Sequence, residues 1–162
     1  AGDGRLLALV LAARPAARGI AVDFSPLMLD QLNARFGSNP RVEIISHNLE
    51  EPLPCLGSFD AVLSSFAIHH VEHKRKRTLY QEIWNFLDPG GVFCNLEHVA
   101  PASPYGHDRF LQAMGIGPED EDPSNKLLDV HTQLAWLRDI GFSDVDCYWK
   151  WRELALPVGP ST

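Results

Sequence analysis

The stretch that most limits the fold is the first 25 residues. There a glycine turn, an apolar segment, a short β-branched run and an acid follow one another. The chain opens Ala1-Gly2-Asp3-Gly4, passes through an apolar helix-like segment from Leu6 to Ala13, and reaches Ile20-Ala21-Val22-Asp23-Phe24-Ser25. Glycines let a backbone pass close to a ligand, because a Cβ in the same place would collide with it. An acid about 20 residues after such a turn, at the tip of the next strand, is placed to accept two hydrogen bonds from ribose hydroxyls. The spacing points to a nucleoside-containing cofactor. It also separates cofactors, because a dinucleotide fingerprint starting at Gly2 needs a third glycine where Leu7 stands. That argues against a nicotinamide-dependent oxidoreductase. A turn of this kind follows a buried strand, and none precedes Ala1. The expectation is a chain that lacks the first strand of its sheet.

The rest of the chain alternates strands and helices. Gly19 to Asp23 reads as a buried strand. Ser25 and Pro26 suit the N-cap and first position of a helix, and Gly37 suits its C′ position. Leu29, Leu32 and Phe36 recur at helical spacing. Val42 to Ser46 and Phe59 to Ser65 read as strands, with a loop from Phe66 to Val71 between the second of them and a helix over Lys74 to Leu87. Asp88-Pro89-Gly90-Gly91 reads as a turn into a strand over Val92 to Leu96. Residues 100–128 carry four prolines and no periodicity, as a lid or acceptor-binding insertion would. Asp129 caps a helix that runs to Ile140, and Val145 to Tyr148 and Trp151 to Leu156 form a closing antiparallel hairpin. This order predicts one α/β domain over 1–162, with a doubly wound, mostly parallel sheet ending in that hairpin. In such sheets ligands sit at the carboxyl ends of the strands.

Composition narrows the function. A net charge of −7 and a pI near 5.4 do not favour nucleic-acid binding. Lys74-Arg75-Lys76-Arg77 then reads as a solvated helix start, and Glu119-Asp120-Glu121-Asp122 as a solvated loop. Three scattered cysteines, Cys55, Cys94 and Cys147, fit a reducing, cytoplasmic setting better than a disulfide scaffold. No apolar run reaches the ~20 residues that span a bilayer. His69, His70 and His73 invite a metal reading, but no further ligand is placed to complete a site, so none is expected.

The motifs together resemble a class I S-adenosylmethionine-dependent methyltransferase of the small-molecule type, over nearly the whole chain. Ala1-Gly2-Asp3-Gly4 resembles the tail of that family's glycine-rich first motif. The resemblance implies a Rossmann-like fold, S-adenosyl-L-methionine as cofactor and a small-molecule acceptor. It implies cofactor contacts from Gly2, Asp3 and Gly4, ribose binding by Asp23, and apolar cover of the adenosine by Phe24 and Met28. It implies adenine recognition at Asn48-Leu49, where many members carry an acid in place of Asn48. An amide oxygen can still accept from the adenine amino group. Phe59-Asp60-Ala61-Val62 and Ser64-Ser65-Phe66-Ala67-Ile68-His69-His70 resemble the fourth-strand motif that faces cofactor and acceptor, with Ser64 among the cofactor contacts. A methyltransferase-like binding module that does not turn over is the alternative.

Methyl transfer from a sulfonium needs little chemistry from the protein beyond positioning, which can supply roughly 7–11 kcal/mol of a barrier. A hydroxyl or carbon-acid acceptor needs a base as well. His69, His70, Glu97, His98 and Tyr105 are available. His70, just past the fourth-strand motif, is the expected base, with helix capping or substrate shaping as its other reading.

Overall fold

The computed structural model describes all 162 residues. Contacts divide them into two compact units, Ala1–Leu53 and Pro54–Thr162.

The first unit holds α1 (Arg5–Ala13), β1 (Gly19–Asp23), α2 (Pro26–Phe36) and β2 (Val42–Ser46). Pro15 cannot continue a helix, so α1 stops at Arg14. β1 and β2 pair in parallel, from Gly19 opposite Val42 to Asp23 opposite Ser46. A parallel pair needs a crossover between its strands, and α2 supplies it. Leu32 and Phe36, one turn apart on α2, are buried with Leu11 of α1 and Ala21 of β1. Gly4 is part of this packing. It has a φ of 80°, and a Cβ there would stand 2.5 Å from the Phe36 ring and 2.8 Å from Leu32. The packing of α2 alone therefore demands the second glycine of the opening turn. Ser25 stands at the N-cap of α2 and Pro26 in its first turn, as expected, while two details of the caps differ. The Ser25 hydroxyl makes no capping bond, and Gly37 closes α2 in the right-handed region, at φ −56°.

The second unit holds β3 (Phe59–Ser65), a 3-10 turn (Ile68–His70), α3 (His73–Phe86), β4 (Leu87–His98), α4 (Pro104–Met114), a second 3-10 turn (Pro118–Asp120), α5 (Val130–Ile140), β5 (Asp146–Trp151) and β6 (Leu154–Pro160). Its sheet runs β3-β4-β6-β5. β3 and β4 are parallel, whereas β6 is antiparallel to both β4 and β5. The Asp88–Gly91 turn is absorbed as an irregularity, since the register passes from Phe59 opposite Leu87 to Ala61 opposite Val92. Leu79 and Ile83 of α3, Phe93 of β4, Leu137 of α5 and Ala155 of β6 form the core, all at most 4% exposed.

Residues 100–128 are not without regular structure. Ser103 caps α4 by accepting the Gly106 amide at 3.1 Å, Pro104 opens it, and Gly115 ends it at φ 68°. This is the same Ser-Pro signal that opens α2, but the buried pair Phe110-Leu111 is too short to show a periodicity among the prolines. The hairpin is present with shifted bounds: Trp151 ends β5, and Arg152-Glu153 makes the turn. No helix is long and apolar enough to cross a membrane.

Candidate active site

In the first unit, Asp23 stands at the carboxyl end of β1 with its side chain 13% exposed. Its Oδ2 accepts from the Ala1 nitrogen and the Gly2 amide, each at 2.8 Å, and its Oδ1 accepts from the Ser25 amide at 3.0 Å. Burial pushes this carboxyl up, but the bonds from Ala1, Ser25 and Gly2 outweigh it and hold the group below its ordinary range. A carboxylate offers about four acceptor sites, and the Gly2 and Ser25 amides occupy one on each oxygen, which leaves room for a ligand. Around it, a Cβ on Gly2 would meet nothing within 4 Å, which leaves that backbone open to close approach. Phe24 is 64% exposed, Met28 and Leu49 are half-buried, and Asn48 is exposed. The Asn48 oxygen accepts from the Glu50 amide at 3.1 Å, so it shapes the turn after β2. Asp3 lies in the same turn. Its carboxylate pairs with Arg5 at 2.7 Å and Arg35 at 3.2 Å, tying the turn to α1 and α2. Open backbone, a desolvated acceptor and the exposed Phe24 ring fit a nucleoside.

In the second unit, the chemistry gathers past the ends of β3 and β4. His69 is buried and its Nδ1 lies 2.7 Å from Glu97 Oε1. The ring of His70 lies against it, with centroids 3.9 Å apart. His70 is half-buried, and its Nδ1 lies 2.9 Å from Ser124 Oγ. Burial and the neighbouring His69 push the His70 imidazole below its ordinary value, against the pull of Asp122. Farther along, Glu153 is buried between His98, whose Nε2 is 3.2 Å from Oε2, and His107, whose Nδ1 is 3.2 Å from both oxygens. His107 Nε2 also reaches Glu121 at 3.1 Å. Burial alone would lower the His107 pKa, but both carboxylates raise it above the ordinary value. Tyr105 is 74% exposed, and no polar contact ties it to this group. Ser64 is on β3, its hydroxyl buried without a partner beside Asn95 of β4. His73 turns to the Leu127 carbonyl at 3.2 Å, and no group of three or more His, Cys, Asp or Glu side chains is placed to hold a metal ion.

Several participants were not picked out from the sequence. Tyr80 donates to Gln133 Oε1 at 2.7 Å, Asn95 Nδ2 reaches Tyr80 and Glu97 at 3.4 Å, and all four side chains are buried. Burial, then the Glu97 charge, pushes the Tyr80 hydroxyl up, so it stays a donor. Lys76, expected in solvent, is 1% exposed and donates to the carbonyls of His69, Val71 and Lys126. Arg75 grips Glu82 with two 2.7 Å bonds. The basic run is thus no basic patch.

The family described as Methyltransferase domain matches residues 1–91, more than half of the chain. The chain belongs to this family. Demethylmenaquinone methyltransferase of Clavibacter sepedonicus is 29% identical over 90% of this chain and 64% of its own length. Carboxy-S-adenosyl-L-methionine synthase of Helicobacter hepaticus (strain ATCC 51449 / 3B1) is 27% identical over 90% of this chain and 66% of its own. The solved structure of an O-methyltransferase family protein from Burkholderia thailandensis matches with a TM-score of 0.78 at 21% identity, covering 99% of this chain and 48% of that one. The methyltransferase domain described here therefore spans just under two thirds of these curated relatives and about half of the solved protein. The likeness establishes the α/β, Rossmann-like fold.

Proposed function

We propose that this methyltransferase domain transfers a methyl group from S-adenosyl-L-methionine to a small-molecule acceptor. The observation that carries the reading is Asp23 at the tip of β1, a desolvated carboxylate bonded to the glycine turn with an acceptor site to spare. When bound, the cofactor supplies a methyl group already activated on a sulfonium. Asp23 accepts a ribose hydroxyl, in a charge-assisted bond of about 1.5–3 kcal/mol. The open backbone at Gly2 lies along the ligand, held by Gly4 and Asp3. Phe24, Met28 and Leu49 cover the base, and Asn48 offers its amide to it. Ser64, whose buried hydroxyl has no partner, adds a contact to the cofactor. His70 takes the proton that a hydroxyl or carbon-acid acceptor sheds. Its lowered pKa keeps the ring neutral near pH 7, which a base needs. Three free cysteines fit the cytoplasmic setting we propose for it.

Calorimetric titration with S-adenosylhomocysteine tests the cofactor half of this reading, beside Asp23→Asn and Asp23→Ala. Binding that falls at least tenfold in both variants is expected. Unchanged affinity in a folded Asp23→Asn protein would sink the ribose assignment.

A further inference from the structure

His70 is held by the segment that the sequence marks only as an acidic loop. Ser124 Oγ lies 2.9 Å from His70 Nδ1 and donates its single proton to Asp122 Oδ1 at 2.7 Å. Asp122 Oδ1 also accepts the Ser124 amide at 2.8 Å, which fixes the serine relative to the acid. A hydroxyl has one proton to give. With that proton committed to a carboxylate, the serine oxygen can only accept from the ring, so His70 carries its proton on Nδ1. Nε2 is then the nitrogen left with its lone pair. The bonds from Ser124 also hold the Asp122 carboxyl below its ordinary range, so it remains an acceptor at neutral pH. The segment itself is pinned. Lys126 donates its amide to the His69 carbonyl at 2.8 Å, and the Lys76 ammonium bridges the carbonyls of His69, Val71 and Lys126.

We propose that Ser124 and Asp122 are positioning residues that set the tautomer of His70, so that Nε2 faces the acceptor as a base. This rests on the reading of His70 as that base. The charged and titratable groups around the ring are His69 with Glu97 behind it, Asp122, and Lys76 beneath the turn. The acidic loop thereby has a task in the reaction: if it leaves its place, His70 reverts to the Nε2–H form that a free imidazole prefers.

The test is ring-nitrogen NMR of the full chain, with Ser124→Ala, Ser124→Thr and Asp122→Asn. Both positions are exposed, so the variants should keep the fold. Wild type should show His70 protonated at Nδ1. Ser124→Ala should move most of the population to Nε2–H, Ser124→Thr should restore the wild-type form, and Asp122→Asn should give a mixture. An Nε2–H ring in wild type, or an Nδ1–H ring that survives Ser124→Ala, overturns the proposal whatever the enzyme does. Methyl transfer from labelled S-adenosylmethionine to a panel of simple phenols adds the second arm. Ser124→Ala should cut kcat by about tenfold with little change in KM, and Ser124→Thr should recover it. A tautomer that shifts as expected beside full turnover in His70→Gln would leave the positioning intact and remove His70 as the base.

Discussion

Replacing Lys76 by Met tests whether the buried ammonium holds the His69–Val71 turn in place. Lys76 leaves α3 one turn from its start, is 1% exposed, and reaches three carbonyls, those of His69, Val71 and Lys126. Methionine has nearly the same length and fills the same space, so packing loss is small. The His69 carbonyl keeps the Lys126 amide at 2.8 Å and is not orphaned. The Val71 and Lys126 carbonyls lose this charged donor, at about 1–3 kcal/mol each. Against that stands the desolvation of the ammonium, which the variant no longer bears. The net loss should be about 2–4 kcal/mol. Lys74→Met, two residues earlier and exposed, should stay within about 0.5 kcal/mol of wild type. Urea unfolding of the three proteins measures the difference, with the slope expected to hold while the midpoint falls. A Lys76→Met midpoint within error of Lys74→Met would refute the reasoning.

Three further outcomes are expected. Gly4→Ala combines a left-handed backbone with a Cβ 2.5 Å from Phe36, and should destabilise the first unit by about 2–4 kcal/mol in thermal unfolding; a loss under about 1 kcal/mol would mean that α2 yields easily. The folded pKa of His107 is raised above 6.5, so the stability it contributes is present below pH 6.5 and lost as pH rises through the folded value. His107→Gln should therefore remove a fall in stability above pH 6.5, and an unchanged pH profile would contradict the pairing with Glu121 and Glu153. Because the Gly2 and Ser25 amides leave Asp23 an acceptor site on each oxygen, 2′-deoxy and 3′-deoxy forms of S-adenosylhomocysteine should both bind about tenfold or more weaker than the parent. A loss confined to one of the two would show that the carboxylate takes a single hydroxyl.

What the sequence discloses and what it hides divide along a physical line. β1, β2 and β3 lie where short β-branched and apolar runs mark them, although only Ala21 of β1 is fully buried and polar residues such as Glu43 and Asp60 sit within β2 and β3. The acid at the tip of β1 is legible because its spacing from the glycine turn is set by one helix and one strand. Gly4 was legible as a needed glycine but not for its reason, which lies 32 residues away in the Phe36 ring. α4 was missed although Ser103, Pro104 and Gly115 mark both ends, because prolines nearby suggested an unstructured insertion.

The second-unit site was hidden for a different reason. Its residues are polar, and a polar residue in a sequence carries no sign of burial. Lys76 sits in a run of four basic residues, three of which stay at or near the surface; only the helical phase that places Leu79, Tyr80 and Ile83 inward turns Lys76 in with them. Glu97 alternates with Asn95 and Phe93 on the buried face of β4, so strand periodicity named its direction while its charge argued against it. A carboxylate enters such a face only where donors meet it, and His69, Asn95 and the His98 amide do so. These donors come from the 3-10 turn after β3 and from β4 itself, close together only once the two strands pair in parallel. The same pairing puts the turn within reach of Ser124, 54 residues from His70. A motif search finds the histidines; the partners that set their protons are products of the fold.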